Sequence, residues 1–344
     1  MPATVLAVAA LAGVSKSTVS RVFTEPSSVK PATREKVLTA ARELQYRPNA
    51  IARAMITKRT GNLAFIIYGK QAPVITNPFY GPILESVVKV ASEMGYSMFI
   101  VSDDELPVRS IELILQKQVD GIIFASQPDH EILDYTCKNN IPLILVNHMV
   151  NAPDIFGIVC DDYGCMALGV NHLIGQGHRN IGLISGMFTE FIRQRRYTGF
   201  KQALENRGIS FDAELTESCE PTMESAFKAA VRLFKKGNRP SAVFCTNDTL
   251  AVGTMKAARH CGLRVPADVS VLGIDDSSFC NLCEPELTSI HFDKERIGRQ
   301  AVECLLAQLG GKPWTHPIIT AEARLVIRSS TAAWNSPQAM QPGA

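Results

Sequence analysis

Apolar and polar positions follow a helical period over the first sixty residues, and from Leu63 onward they change to apolar runs alternating with amphipathic stretches. Val5, Val8, Ala9 and Ala12 recur at spacings of three and four and predict one apolar helix face. Gly13 interrupts this pattern, as a tight turn between helices requires. Ser15 is a predicted N-cap, because its hydroxyl can accept a bond from a first-turn N–H. The helix that follows, about Lys16–Phe23, turns Val19, Val22 and Phe23 inward and leaves Lys16, Ser17, Ser20 and Arg21 outward. Thr33 is expected to cap a third helix running to about Leu44, with Val37, Leu38, Ala41 and Leu44 on its core face. Asn49 is placed to cap a short Ala-rich segment, Ala50–Thr57. Two turns fall below the ~12 residues at which an isolated helix becomes marginally stable, so this segment is expected to order only against a partner.

Beyond Gly61 the runs Leu63–Tyr68, Met98–Val101, Gly121–Phe124 and Pro142–Val146 read as buried parallel strands. Tyr80–Met94 and Val108–Gln118 are helix-like stretches between them. A second series follows at Asn180–Ser185, Ser241–Thr246 and Val269–Asp275. Two doubly wound α/β sets of similar size imply two lobes with a cleft, and ligands of open α/β sheets bind beyond the carboxyl ends of the strands. The predicted fold is a small all-α headpiece joined to a two-lobed α/β domain with two doubly wound parallel sheets.

Charge sharpens the division. The 344 residues carry a net charge of only +2, but residues 1–60 hold ten Lys/Arg against three Glu, a net +7, and the remainder is −5. A basic head on an acidic body suggests a polyanion-binding module attached to a part with a different role. Small hydroxyl residues and long donors on the outer face of the second helix suit insertion into a DNA major groove. Nine cysteines, odd in number and irregularly spaced, argue against a disulfide framework and for a reducing, cytoplasmic setting. Cys280 and Cys283 form a lone C-x-x-C with no second pair or His cluster, too few ligands for a zinc site, and no metal or cofactor is expected. No apolar run approaches the ~20 residues of a membrane span, and Val5–Val14 lacks the basic lead-in and cleavage site of an export signal. No nucleophile elbow, P-loop or paired-carboxylate motif is present, so an enzyme is not expected.

AGVSKSTVSRVF (Ala12–Phe23), TREKV (Thr33–Val37) and YRPNAIARAM (Tyr46–Met55) resemble the LacI/GalR family of bacterial transcription regulators. The likeness continues through NPFYGPILESV (Asn77–Val87), VDGIIF (Val119–Phe124), GHRNIGLISG (Gly177–Gly186), RYTGF (Arg196–Phe200), NDTLAVGTMKAA (Asn247–Ala258) and VPADVSVLGIDD (Val265–Asp276), and so covers nearly the whole chain. It implies a helix-turn-helix headpiece and a body similar to periplasmic sugar-binding proteins. It also implies a repressor that binds a pseudo-palindromic double-stranded DNA operator under the control of a small-molecule effector, most often a sugar. The family's base-reading positions fall on Lys16, Ser17 and Arg21, and its phosphate-contacting hydroxyls on Ser15, Thr18 and Ser20. Asn49 opens the family's hinge helix, and Met55 stands where an apolar side chain wedges between base steps. Leu6 and Ala7 depart from the family's usual Lys-Asp, removing an acidic cap from the first helix.

The expected ligand contacts sit at strand ends. Phe79 and Tyr80 offer ring faces to a sugar or a base, Arg196 a planar fork of donors, and Asn247 both a donor and an acceptor. Asp275 can accept from vicinal hydroxyls, and Asp161 is a further candidate. A nucleobase or nucleoside is the alternative effector. A periplasmic binding protein would share the body but not the basic head. The expected division is residues 1–46 (DNA-binding), 47–60 (hinge), 61–160 with 290–319 (first lobe), 161–289 with 320–334 (second lobe) and 335–344 (tail). That tail lacks the apolar heptads of a tetramerising coil, which leaves a homodimer as the expected assembly.

Overall fold

The structure, a computed structural model, describes residues 3–46, 59–68, 75–103, 119–125, 127–128, 130–150, 155–311 and 318–334, with residues 112, 114 and 116. Asn49, Met55 and the expected hinge helix lie outside the described residues, as do the tail and most of the stretch Val108–Gln118. The chain forms two compact units, one of residues 1–62 with 113–120, the other of residues 63–112 with 121–344.

The first unit is built on three helices, α1 (Val5–Ala12), α2 (Lys16–Thr24) and α3 (Pro31–Glu43). Thr4 caps α1, its Oγ1 accepting from the amide of Ala7 at 3.2 Å, so the helix whose acidic cap is missing has a cap from outside it. Gly13 takes φ 66°, a conformation glycine adopts without strain. The turn through Val14 and Ser15 sets α2 at 105° to α1, within the range of a helix-turn-helix. The third helix starts two residues before the expected cap. Pro31 occupies its first position and Lys30 its N-cap without a side-chain bond, so Thr33 lies inside the helix. Proline has φ preset for a helix and lacks the N–H that would go unpaired there. Val8, Ala9, Val19, Val22, Val37, Ala40 and Ala41 form the core, and Phe23 packs against Tyr46 with ring centroids 5.9 Å apart. The carboxylate of Asp120 accepts from the amides of Thr60 and Gly61 at 2.6 and 2.9 Å.

The second unit contains two six-stranded sheets. Strands β1 (Asn62–Tyr68), β2 (Ser97–Asp103), β3 (Gly121–Phe124), β4 (Leu143–Val146), β5 (Phe156–Cys160) and β11 (Ile318–Ala321) form the first, in the order β11-β5-β4-β3-β1-β2. Strands β6 (Ile181–Gly186), β7 (Thr216–Cys219), β8 (Ala242–Cys245), β9 (Ser270–Asp275), β10 (Thr288–Phe292) and β12 (Ala323–Val326) form the second, in the order β12-β10-β9-β8-β6-β7. Only β12 is antiparallel to its neighbour among the registered pairs. Each sheet reverses its order beside its first strand, and a ligand crevice opens at such a switch point. The helices α4 (Tyr80–Glu93), α5 (His130–Lys138), α6 (Asp162–Gly175), α7 (Glu190–Glu205), α8 (Met223–Phe234), α9 (Asp248–His260), the short α10 (Phe279–Leu282) and α11 (Lys294–Leu309) connect the strands. The chain passes between sheets three times, after Cys160, after Phe292 and after Ala321. The expected division at 289/290 cuts through β10, which pairing with β9 and β12 keeps in the second sheet.

Large buried side chains such as Phe65, Phe124, Phe200, Phe244 and Phe292 fill the interior. His178 is buried among Ser241 Oγ (2.9 Å), Ser270 Oγ (3.0 Å) and the carbonyl of Ala332 (3.2 Å), holding the C-terminal segment against the second sheet. Burial lowers its imidazole to about 4. Among the described residues no single helix is long and apolar enough to cross a membrane.

Helices α8 and α9 approach closely because Gly253 has no side chain: a Cβ there would lie 2.4 Å from the carbonyl oxygen of Met223. Gly253→Ala should therefore destabilise the protein by about 1–3 kcal/mol through overpacking. Gly175→Ala, at a helical position with nothing within 4 Å, should be neutral or stabilising by about 0.4–1 kcal/mol. Urea unfolding of both variants checks this; equal effects would refute the assigned close approach.

Candidate functional site

Two surfaces concentrate chemistry, one in each unit. On the first unit, Lys16, Ser17 and Arg21 are exposed on α2, beside the half-buried Thr18 and Ser20. Ser15 caps this helix: its Oγ accepts from the amide of Thr18 at 3.1 Å and lies 2.8 and 2.9 Å from the hydroxyls of Ser17 and Thr18. A ladder of hydroxyls and two long cations thus line one end of one helix, with Val19 and Val22 locked into the core behind them. That is a donor-rich face suited to phosphates and base edges.

On the second unit, a cavity opens at the carboxyl ends of both sheets. It collects Asn77–Tyr80 following β1, Asn147 following β4, Phe188, Ile192 and Arg196 following β6, Pro221 following β7, Asn247 and Thr249 following β8, and Asp275 ending β9. Asn77 begins the first lobe's contribution, its Oδ1 accepting from the amides of Phe79 and Tyr80 at 3.0 Å each and so starting α4. The two rings meet edge to face, 5.0 Å apart, and the Tyr80 hydroxyl accepts from Asn147 Nδ2 at 3.4 Å. Asn147 Oδ1 is buried with no partner among the described residues.

Arg196 is 3% exposed. Its Nε donates to Asp162 Oδ1 at 2.9 Å and its Nη1 to the carbonyl of Thr246, leaving Nη2 for a ligand. Burial alone would lower the guanidinium, but the nearby carboxylates of Asp162 and Asp275 more than reverse this and keep it charged. Asp275 takes φ 108° and Asp276 φ 48°, a backbone that non-glycine residues adopt at some cost. Lys294 donates to the main-chain oxygen of Asp275, while the Asp275 carboxylate has no hydrogen-bond partner among the described residues. Burial raises that carboxyl to about 7, against the pull of Arg196 and with the repulsion of Asp248. Burial likewise raises the Tyr80 phenol, which stays a neutral hydroxyl.

Five of the six expected effector contacts, Phe79, Tyr80, Arg196, Asn247 and Asp275, are brought together here. Asn247 has two roles: its Oδ1 caps α9 by accepting from Leu250 at 2.9 Å, and its amide NH₂ remains for a ligand. Asp161 is not in the lining. It caps α6, accepting from the amide of Gly164 at 2.9 Å, and its neighbour Asp162 is the residue that holds Arg196. Sequence reasoning does not single out Asn147 or Phe188, although both follow predicted strands and the strand-end rule points to them.

A family model described as "Bacterial regulatory proteins, lacI family" matches residues 4–49, and one described as "Periplasmic binding protein-like domain" matches residues 170–331. The chain is 33% identical over 343 residues to the HTH-type transcriptional regulator DegA of Bacillus subtilis, across 98% of this chain and 100% of that protein. It is 34% identical over 341 residues to the HTH-type transcriptional repressor PurR of Haemophilus influenzae, across 95% of this chain and 98% of that protein. The Lac repressor dimer bound to operator and the anti-inducer ONPF superposes with a TM-score of 0.84 at 28% identity, covering 97% of this chain and 100% of that one. The transcriptional regulator CelR–cellobiose complex gives a TM-score of 0.73 at 29% identity, covering 95% and 99%.

The raised Asp275 carboxyl makes a pH prediction. An unfolded Asp loses its proton near 4 and the folded one near 7, so the folded state binds more protons in between and stability falls as pH rises through that window. Asp275→Asn removes this loss, and should gain stability relative to wild type at pH 8 but not at pH 4. The gain is bounded by about 1.4 kcal/mol per pH unit crossed. His178 works in the opposite sense, losing stability as pH falls from about 6.5 towards 4, but it is common to both proteins. Urea titrations at the two pH values give the comparison; an equal difference at both would mean that Asp275 ionises without penalty.

Proposed function

The chain belongs to the lacI family of bacterial regulatory proteins, and from that premise we propose that it represses a sugar-utilisation operon and is switched by a sugar held in the cavity. It is a DNA-binding transcription regulator with a ligand-binding domain. The observation that carries the sugar reading is the pair of bare acceptors, the Asp275 carboxylate and Asn147 Oδ1, which share one cavity with the Arg196 fork. Adjacent hydroxyls donate to the first two and accept from the third. Without such a ligand the fully buried Asn147 Oδ1 forfeits a bond. The likeness to the CelR–cellobiose complex supports this reading. A nucleobase or nucleoside is the second reading, favoured by the rings of Phe79, Tyr80 and Phe188 in the same lining.

The protein acts in the cytoplasm as a homodimer on a pseudo-palindromic operator. Lys16, Ser17 and Arg21 read base edges, and Ser15, Thr18 and Ser20 hold phosphates. Asn49 and Met55 contact DNA as well. The effector works through its different affinity for two arrangements of the lobes, since only such a difference can shift the equilibrium.

A thermal-shift panel of neutral sugars, sugar phosphates and nucleosides identifies the effector, because a ligand that binds only the folded state raises its stability. Stabilisation by nucleosides alone would replace the sugar reading with the second one. Arg196→Ala should abolish the response to the identified effector yet leave operator affinity within about twofold, since DNA contacts belong to the headpiece. Calorimetry with the effector and operator titrations decide this, and undiminished effector binding by the variant would remove Arg196 from the site. Arg21→Ala should weaken binding to the cognate operator by about 1–3 kcal/mol, with a smaller loss on random DNA. Equal losses on both would make Arg21 a phosphate contact.

A further inference from the structure

Asp248 is a fully buried carboxylate that no part of the cavity reading uses. It opens α9 directly after the cavity residue Asn247 but is not in the cavity lining. Its Oδ2 accepts from the amide of Ser277 at 2.7 Å and the thiol of Cys280 at 3.2 Å, and its Oδ1 from the hydroxyl of Ser289 at 2.6 Å. The Ser289 oxygen in turn accepts from the amide of Asp276 at 3.1 Å. Both amides that follow Asp275 are therefore tied to one carboxylate, one directly and one through a hydroxyl. They are tied just where the chain runs through two consecutive positive φ angles. Room for this arrangement is made by Gly273, where a Cβ would stand 2.3 Å from Asp248 Oδ1.

We propose that Asp248 is the positioning residue of the cavity, holding the main chain at Asp276 and Ser277 so that the neighbouring Asp275 carboxylate is presented to a ligand rather than to the protein. This inference rests on the reading of the cavity as the effector site. The alternative role, a plain helix-start carboxylate, would need no partner beyond its own helix. Asp248 instead reaches the segment after β9 and a hydroxyl on β10 and has no ion-pair partner among the described residues. A buried carboxylate without a cation is costly unless every lone pair is used, and here the lone pairs are used on the segment that shapes Asp275.

The two carboxyls also affect each other. Burial raises Asp248, offset in part by its donors, and its charge is among the influences that raise Asp275. The other groups facing Asp275 are Arg196 on α7, Lys294 on α11 and Asp162 on α6, with the Tyr80 phenol and the Cys160 and Cys165 thiols held neutral by burial. Arg328, whose guanidinium feels the Asp248 charge, is paired with Asp276 at 2.7 Å. Asparagine at 248 can keep accepting from Ser277 and Cys280 with its oxygen, while the bond to Ser289 reverses, the amide donating to the hydroxyl oxygen, and the charge is removed.

Two ligand-free measurements on the full-length protein test the proposal. The ¹³Cγ resonance of Asp275, assigned by its loss in Asp275→Asn, should titrate in the wild type near pH 7, where burial places it. In Asp248→Asn its midpoint should drop by at least about half a pH unit, the size expected when a nearby like charge is removed. Amide hydrogen exchange over residues 276–283 should be slow in wild type and in Asp248→Asn, and at least tenfold faster in Asp248→Ala. If that variant does not fold, Ser289→Ala replaces it, with the faster exchange confined to the Asp276 amide. Unchanged exchange in the variant that lacks the bonds overturns the proposal; an unchanged Asp275 midpoint in Asp248→Asn removes only the mutual charge influence. Because neither readout uses a ligand, failure of the effector reading appears separately, as effector binding indifferent to Asp275→Asn.

Discussion

The second lobe is organised around one charge that almost no water reaches. Arg196, midway along α7, is bound to Asp162 at the start of α6 and to the carbonyl of Thr246 just after β8, so a single guanidinium ties three elements together. Removing one partner of a buried ion pair usually strands the other. Here Asp162 has a second partner, Arg195 Nε at 3.2 Å, itself stacked on the rings of Tyr163 and Phe191 at 4.9 and 5.1 Å. Asp162 therefore keeps a cationic partner without Arg196, whose Nη2 takes no part in these bonds.

Across the cavity the acceptors are kept bare by geometry. Asp276, next to the open carboxylate, is fully engaged with His291 at 2.9 Å and Arg328 at 2.7 Å. Two neighbouring aspartates of identical chemistry are therefore divided, one a structural ion-pair partner and the other an acceptor with no hydrogen-bond partner among the described residues. The backbone at positive φ divides them, since it turns successive side chains in different directions at a cost of order 1–3 kcal/mol each. Burial and hydrogen bonds offset that cost. Bare carboxylate and bare amide oxygen then specify hydrogen-bond donors on whatever fills the space.

Much of this is legible in the sequence. The helix-turn-helix can be read from Gly13, Ser15 and the spacing of Val19 and Val22, because a small headpiece has only one way to bury those residues. Most inner strands with continuous apolar runs lie within a residue or two of their expected places, because both faces of an inner parallel strand are covered; β5, buried and inner, is not singled out, and β2, expected to be buried, is an edge strand with Phe99 and Ile100 exposed. The edge strands β7, β11 and β12 escape sequence reasoning, being half-exposed and mixed in polarity; β10, reading TSIHF, hides its burial behind polar letters. Asp161 stands out as a candidate ligand contact while Asp162 does not. Adjacent aspartates look alike as letters, and only the helix start shows which one caps and which one faces Arg196. Asn147 stays hidden because its role depends on a buried oxygen left without a partner, and no local pattern reports that.

The three passages between sheets bear on the order in which the protein can be made. The first sheet takes its edge strand β11 from residues 318–321 and the packing partner of α4, helix α11, from residues 294–309. Ser86 on α4 reaches the carbonyl of Glu295 at 2.7 Å, and Gly298 lets the helices close, since a Cβ there would meet the carbonyl of Ile83 at 2.6 Å. All of that chain leaves the ribosome after the entire second sheet except β12. Domains generally fold from the N-terminus as they emerge, yet here the N-terminal lobe waits, with one sheet edge and one helix face uncovered, until its C-terminal neighbour has been synthesised. A stalled or truncated chain ending near residue 293 would therefore hold a nearly complete second lobe and an open first one, making the first sheet the surface that chaperones and proteases meet.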